Sequence, residues 1–80
     1  MNPKFEKEVG LRIREIREKR NLTQAEVSAR LQVRGCDVTR SALAKIEVGQ
    51  RHLYPDELRA LREILRVTYE EILEQGDKRE

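Results

Sequence analysis

Residues Leu22 to Arg51 constrain this chain more than any other stretch. They read LTQAEVSARL, then QVRGCDV, then TRSALAKIEVGQR. The outer segments carry helix signals, and the segment between them holds a glycine. Thr23 with Glu26 three residues later makes a reciprocal capping box, and Leu22 with Val27 makes the matching hydrophobic staple. The start of the first helix is therefore well specified. The second helix runs from about Thr39 to Val48 and is stopped by Gly49, a residue that tolerates the left-handed cap. At about 100° per residue, Ala42, Leu43 and Ile46 share one side, which is the core side.

The opposite side of that second helix holds Arg40, Ser41, Ala44, Lys45 and Val48. One reading is an ordinary solvated face. The other is a face built for close approach, because small side chains let a helix near a surface while two cations reach past them. Arg and Lys bond to guanine O6 and N7, Ser bonds to several bases, and Ala or Val touches a thymine methyl. Gln24 lies in the first turn of the preceding helix, where backbone N–H groups lack internal partners. It is either a tolerated polar residue or a phosphate contact.

LTQAEVSARL followed by TRSALAKIEVGQR resembles the Cro/CI-type helix-turn-helix family, also called the XRE or lambda-repressor-like family. The similarity extends over about residues 9 to 74, through IREIREKRNLTQ in front and LRALREILRV behind. It implies an all-α fold, a compact bundle of five helices that binds operator DNA as a dimer, with the helix-turn-helix at about residues 23–48. By motif position Gln24 looks like a phosphate contact. Arg40, Ser41 and Lys45 look like base-reading positions, with Ala44 between them and Thr39 at the helix start. The loop Gln50-Arg51 falls where such domains touch the DNA backbone. Arg17 and Glu47 match positions that pair between the first helix and the recognition helix. Periodicity alone puts Glu47 near the core edge, where a buried carboxylate needs a partner. Both are assigned to structure. A dimer contact is implied near Tyr69 and Leu73, with closure of the core as the alternative role.

One feature departs from the family pattern. Seven residues, Gln32 to Val38, separate Leu31 from Thr39, more than the usual link. The first helix of the pair is expected to run on by a turn and end near Gly35, with Val38 tucked inward. Arg34 then becomes either an extra phosphate contact or a solvated cation.

Before this stretch, Asn2-Pro3 reads as an N-cap followed by proline at the first helical position. The helix continues to about Arg20, with Asn21 near its stop. Phe5, Val9, Ile13 and Ile16 step by four, four and three and form one buried stripe. Leu11 lies off it, exposed or in a contact between subunits. Arg12 and Arg14 are weak phosphate candidates. Beyond the loop, Pro55, Asp56 and Glu57 open a helix with acid at its positive end, and Leu58, Leu61, Ile64 and Leu65 give its buried stripe. Thr68 with Glu71 repeats the capping box and Val67 with Ile72 the staple, so a last short helix covers Tyr69 to Glu74 and ends at Gly76.

Eighty residues make one domain, 1–76, followed by a frayed tail at 77–80. No apolar run approaches the length of a membrane span, and Met1 to Gly10 lacks a leader pattern. A single cysteine cannot staple the fold, which suits a reducing cytoplasm. Neither Cys36 nor His52 has neighbours at metal-ligand spacing, so both read as surface or turn residues, with no metal or cofactor. The net charge of +2 says little, but its distribution says more. Residues 4–20 hold seven Lys/Arg against four Asp/Glu, and residues 30–52 hold five against two. The C-terminal third reverses this, with five against eight. A basic half neutralises phosphates, and an acidic end suits a side turned away from them.

Three functions stay open at this point. The first is a sequence-specific double-stranded DNA-binding regulator, a repressor acting as a homodimer on an operator. The second is a protein-interaction module on the same fold, binding a toxin or polymerase. The third, an enzyme, is the weakest, since the chain has no nucleophile–base pair and no glycine-rich phosphate loop.

Overall fold

The computed structural model describes residues 2–74. Five helices follow in order: α1 (Pro3–Lys19), α2 (Gln24–Val33), α3 (Arg40–Glu47), α4 (Pro55–Leu65) and α5 (Tyr69–Leu73). No strand occurs among the described residues. The expected fold class is thus the observed one. The proposed tail at 77–80 and the stop at Gly76 lie outside the described residues.

Each helix starts where its side chains dictate. Asn2 caps α1 by accepting from the Lys4 and Phe5 N–H groups at 2.9 and 3.2 Å. Thr23 and Thr68 close complete capping boxes with Glu26 and Glu71, and Thr39 caps α3 by accepting from the Ala42 N–H. The first four helices also end alike. Asn21, Gly35, Gly49 and Arg66 all adopt positive φ, and each following N–H reaches back to the carbonyl that closes a Schellman motif: Leu22 to Arg17, Cys36 to Leu31, Gln50 to Lys45 and Val67 to Arg62. As expected, α2 ends near Gly35, where the chain turns at positive φ, and Val38 is fully buried. Ser28 fastens this long turn from below, donating its hydroxyl to the Val38 carbonyl at 2.7 Å.

The core runs through all five helices. Val9 and Ile13 of α1, Val27 and Leu31 of α2, Leu43 and Ile46 of α3, Ala60, Leu61, Ile64 and Leu65 of α4, and Ile72 of α5 are its main members. Two stripe assignments need correction. Phe5 is 38% exposed and Ile16 is only half-buried, because the buried face of α1 rotates toward Gly10 and Arg17. On α4, Leu58 is half-buried, while Glu57 and Ala60 are buried instead. Cys36, expected at the surface, is buried against α4, its thiol 3.8 Å from the Asp56 carbonyl. Gly10 explains how closely α1 crosses the end of α3. A Cβ there would drive into the Ile46 carbonyl oxygen and lie 2.9 Å from that of Glu47.

Candidate nucleic-acid interface

The site is assembled where the end of α1, the start of α2 and the outer face of α3 meet. Arg14, Gln24, Ala25, Arg40, Ala44 and Val48 are among the side chains lining one open groove. Its back wall is an ion pair. Arg17 donates from Nε to Glu47 Oε2 at 2.7 Å and from Nη2 to Oε1 at 3.1 Å. Its remaining Nη1 donates to the Leu22 carbonyl at 2.9 Å. Glu47 is 3% exposed and Arg17 8%, so neither charge has water to fall back on. The hydrogen bonds to Glu47 raise the Arg17 pKa against the opposing effect of burial. The pairing expected for these two residues is present and bidentate.

The predicted reading residues hold the positions their periodicity gave them. Arg40, Ser41 and Lys45 are exposed on α3 and Ala44 is half-buried, while Leu43 and Ile46 face the core and Ala42 is partly covered. Among the described residues, neither Arg40 nor Lys45 enters an ion pair or side-chain hydrogen bond. Thr39 spends its lone pair on the helix cap and keeps its hydroxyl proton for another acceptor. Gln24 stands at the mouth of the groove and donates its Nε2 to Glu47 Oε1 at 3.0 Å.

Three of four further cations named from sequence prove to be engaged elsewhere. Arg51 forms two bonds to Glu57, at 2.8 and 3.0 Å, and a third to the His52 carbonyl. It is a brace for the loop into α4 rather than a free phosphate donor. Burial favours the protonated form of Glu57, but Arg51 and the Tyr54 N–H outweigh it and hold the carboxyl below its ordinary value. Arg34 faces α4 and meets Glu63 at 3.5 Å, away from the groove. Arg12 donates to the Ile72 and Leu73 carbonyls at 2.6 and 3.0 Å, closing the end of α5. Arg14 stays at the groove, paired with Glu18 at 3.2 Å. Gln50 is exposed, its N–H used in the cap of α3.

Other assignments fall at the far end of the bundle. Tyr69 is 41% exposed, with the Arg62 guanidinium 4.9 Å from its ring centre. Leu73 is half-buried and joins Phe5, Leu53 and Leu58 around an apolar hollow of about 200 Å³. His52 is not isolated: its Nδ1 lies 3.2 Å from Glu6. No group of three or more metal-ligating side chains is found among the described residues, and no described helix is long and apolar enough to cross a membrane.

Sequence reasoning missed two contributors. Ser28, a small polar residue on the inner face of α2, gave no signal because its partner is a carbonyl ten residues away across the turn. Arg20 donates to the Leu65 and Arg66 carbonyls at 2.8 and 3.1 Å. That contact joins residues 45 apart in sequence, which no local pattern reveals.

Comparison with known proteins agrees with this architecture. Among curated proteins, none matches the chain by sequence. The crystal structure of the DNA-binding domain of BldD superposes with a TM-score of 0.76 at 25% identity, covering 91% of this chain and 99% of that domain. The helix-turn-helix family model matches residues 13–72, from the middle of α1 into α5. With that match over most of its length, the chain belongs to the XRE-type helix-turn-helix family.

Proposed function

We propose that this chain is a sequence-specific double-stranded DNA-binding transcriptional regulator, a repressor that works by occupying its operator in the cytoplasm. One observation carries the reading. On α3, Arg40 and Lys45 project on small neighbours with no partner among the described residues, whereas most of the nearby arginines are paired. A cation left unpaired beside a groove lined by Gln24 and Ala44 is matched to an anionic, edge-readable surface. In this reading α3 enters the major groove. Arg40, Ser41, Ala44, Lys45 and Thr39 meet base edges, and Gln24 and Gln50 meet the flanking phosphates. The membership of the BldD domain in DNA-binding proteins supports the same partner. One helix reads few base pairs, so two copies on half-sites about one helical turn apart supply usable specificity. Tyr69 and Leu73, on the side of the acidic C-terminal third, are the proposed contact between copies.

The test is selection from a pool of random duplexes, with binding followed by fluorescence anisotropy at several salt concentrations. A two-fold-related motif is expected. Arg40→Ala should relax discrimination at one position in each half-site, at a cost of about 1–3 kcal/mol per contact, while thermal stability stays within about 0.5 kcal/mol of the parent. Salt-insensitive binding, or enrichment of no motif, would sink the proposal.

A further inference from the structure

We infer that Glu47 is a positioning residue for the DNA contact of Gln24, in addition to holding Arg17. This rests on the DNA-binding reading above. Both roles meet on one atom. Oε1 of Glu47 accepts from Arg17 Nη2 at 3.1 Å and from Gln24 Nε2 at 3.0 Å, while Oε2 takes Arg17 Nε at 2.7 Å. The ion pair is already bidentate without the glutamine, so this third bond is not needed to neutralise the carboxylate. Its consequence falls on Gln24. A carboxylate only accepts, so the nitrogen of the amide, not its oxygen, must face Glu47. The amide is planar, and fixing one of its two N–H bonds fixes the direction of the other. Gln24 lines the same open groove as Arg40 and Ala44. The structure thus presents one ordered donor, ready for a backbone phosphate, at a set distance from the base-reading face of α3.

A glutamine free to turn about three side-chain bonds would lose that freedom on binding, which weakens affinity. Here the freedom is already lost on folding. The same carboxylate ties α1, α2 and α3 together through Arg17, Gln24 and Glu47. It sets the register between the helix that touches the backbone and the helix that reads bases.

The test uses the selected duplex with each backbone phosphate replaced in turn by a neutral methylphosphonate. In the unaltered protein one replacement should weaken binding about tenfold, and Gln24→Met, which keeps the length but has no donor, should erase that penalty. Glu47→Gln should shrink the same penalty to less than about twofold, while Arg40→Ala leaves it in place. A Glu47→Gln protein that binds more weakly overall yet keeps the full penalty shows Glu47 to be structural only and overturns the inference. Because that variant leaves Arg17 beside a neutral amide and is at risk of unfolding, the unaltered chain supplies a second measurement. In NMR spectra of the free protein, the Gln24 Nε2 proton bonded to Glu47 should be slow to exchange with water and shifted from the ordinary glutamine position, and DNA should shift the other. Two Gln24 Nε2 protons at ordinary side-chain amide positions, both exchanging rapidly, overturn the inference as well. If no duplex binds at all, the DNA reading itself falls; if binding and Arg40 discrimination stand while the Gln24 results fail, only the positioning role falls.

Discussion

Three arginines on and just after α1 and the cations of α3 are chemically alike and are used in opposite ways. Arg12, Arg17 and Arg20 turn back onto the protein. They close the carbonyl ends of α5 and α4 and neutralise the one deeply buried carboxylate of the groove. The negative end of a helix favours a cation, so each such contact both satisfies orphan carbonyls and complements the dipole. Arg40 and Lys45 sit on a short helix whose other side is filled by Leu43 and Ile46. Neither cation makes a side-chain hydrogen bond or ion pair among the described residues. The contrast teaches that a cation's charge does not say how it is used: several arginines of the N-terminal half are consumed in building the fold. The exposed cations with no side-chain partner among the described residues include Lys4, Lys7, Lys19 and Arg30 on α1 and α2, while Arg40 and Lys45 stand together on the helix read as the recognition element.

The largest effect should come from breaking an inward arginine. Arg17→Ala leaves Glu47 charged, buried and without its partner, which costs about 3–5 kcal/mol. Chemical denaturation should show it as a lowered midpoint with an unchanged slope. Glu47→Ala should cost a similar amount. The double variant should lose much less than the two single losses added together, since each removes the same interaction. Strictly additive losses would mean the pair is not coupled, and the contrast between the two helices would lose its main support.

Next in size is Arg12→Ala. Its two bonds run to the Ile72 and Leu73 carbonyls, and hydrogen bonds from a charged donor are worth about 1.5–3 kcal/mol. The loss should fall on the docking of α5, seen as faster amide exchange at its end than in α2. DNA affinity, once measured at a temperature where both proteins are folded, should be nearly unchanged. A variant that keeps its stability but binds DNA much more weakly would move Arg12 from the inward group to the outward one.

How much of this arrangement is written in the chain depends on the range of the interaction. Caps and staples are local, and Thr23, Glu26, Thr68 and Glu71 behave as their spacing requires. The face of α3 follows from helical period alone. The family resemblance added the Arg17–Glu47 pair, which periodicity could only motivate. What stayed hidden is the destination of long side chains. By position Arg34 and Arg51 are phosphate candidates, yet each finds a carboxylate on α4. A guanidinium reaches about as far from its Cα as neighbouring helices stand apart, so its partner is decided by tertiary packing and not by its own position. Phe5 failed for a related reason. The buried face of α1 rotates toward Gly10 and Arg17, and which face a helix buries is decided by the helices packed on it.

A smaller effect separates Arg51 from Arg40 by pH. The folded carboxyl of Glu57 titrates below its ordinary value of 4.5, through Arg51 and the Tyr54 N–H acting against burial. A depressed carboxyl contributes stability that is fully present above the ordinary value and is lost as pH falls through the folded one. Unfolding monitored between pH 6 and 3 should therefore show a decline below about pH 4.5 that Glu57→Gln reduces. A variant curve parallel to that of the parent would show that the brace contributes nothing through ionisation.

The smallest effect should come from Lys45→Gln, and it is the most informative about direction. Lys45 lies near the end of α3, where a cation adds a few tenths of a kcal/mol to the helix through the dipole. Removing it should leave folding stability within about 0.5 kcal/mol. If Lys45 neutralises a phosphate in the complex, the slope of log affinity against log salt should fall by about one. If it instead reads a base, the slope should change less, and discrimination at one base pair should weaken. Either result keeps it among the outward cations. An unchanged slope with unchanged discrimination would leave Arg40 as the one cation of this face engaged with DNA, and would narrow the outward group to a single side chain.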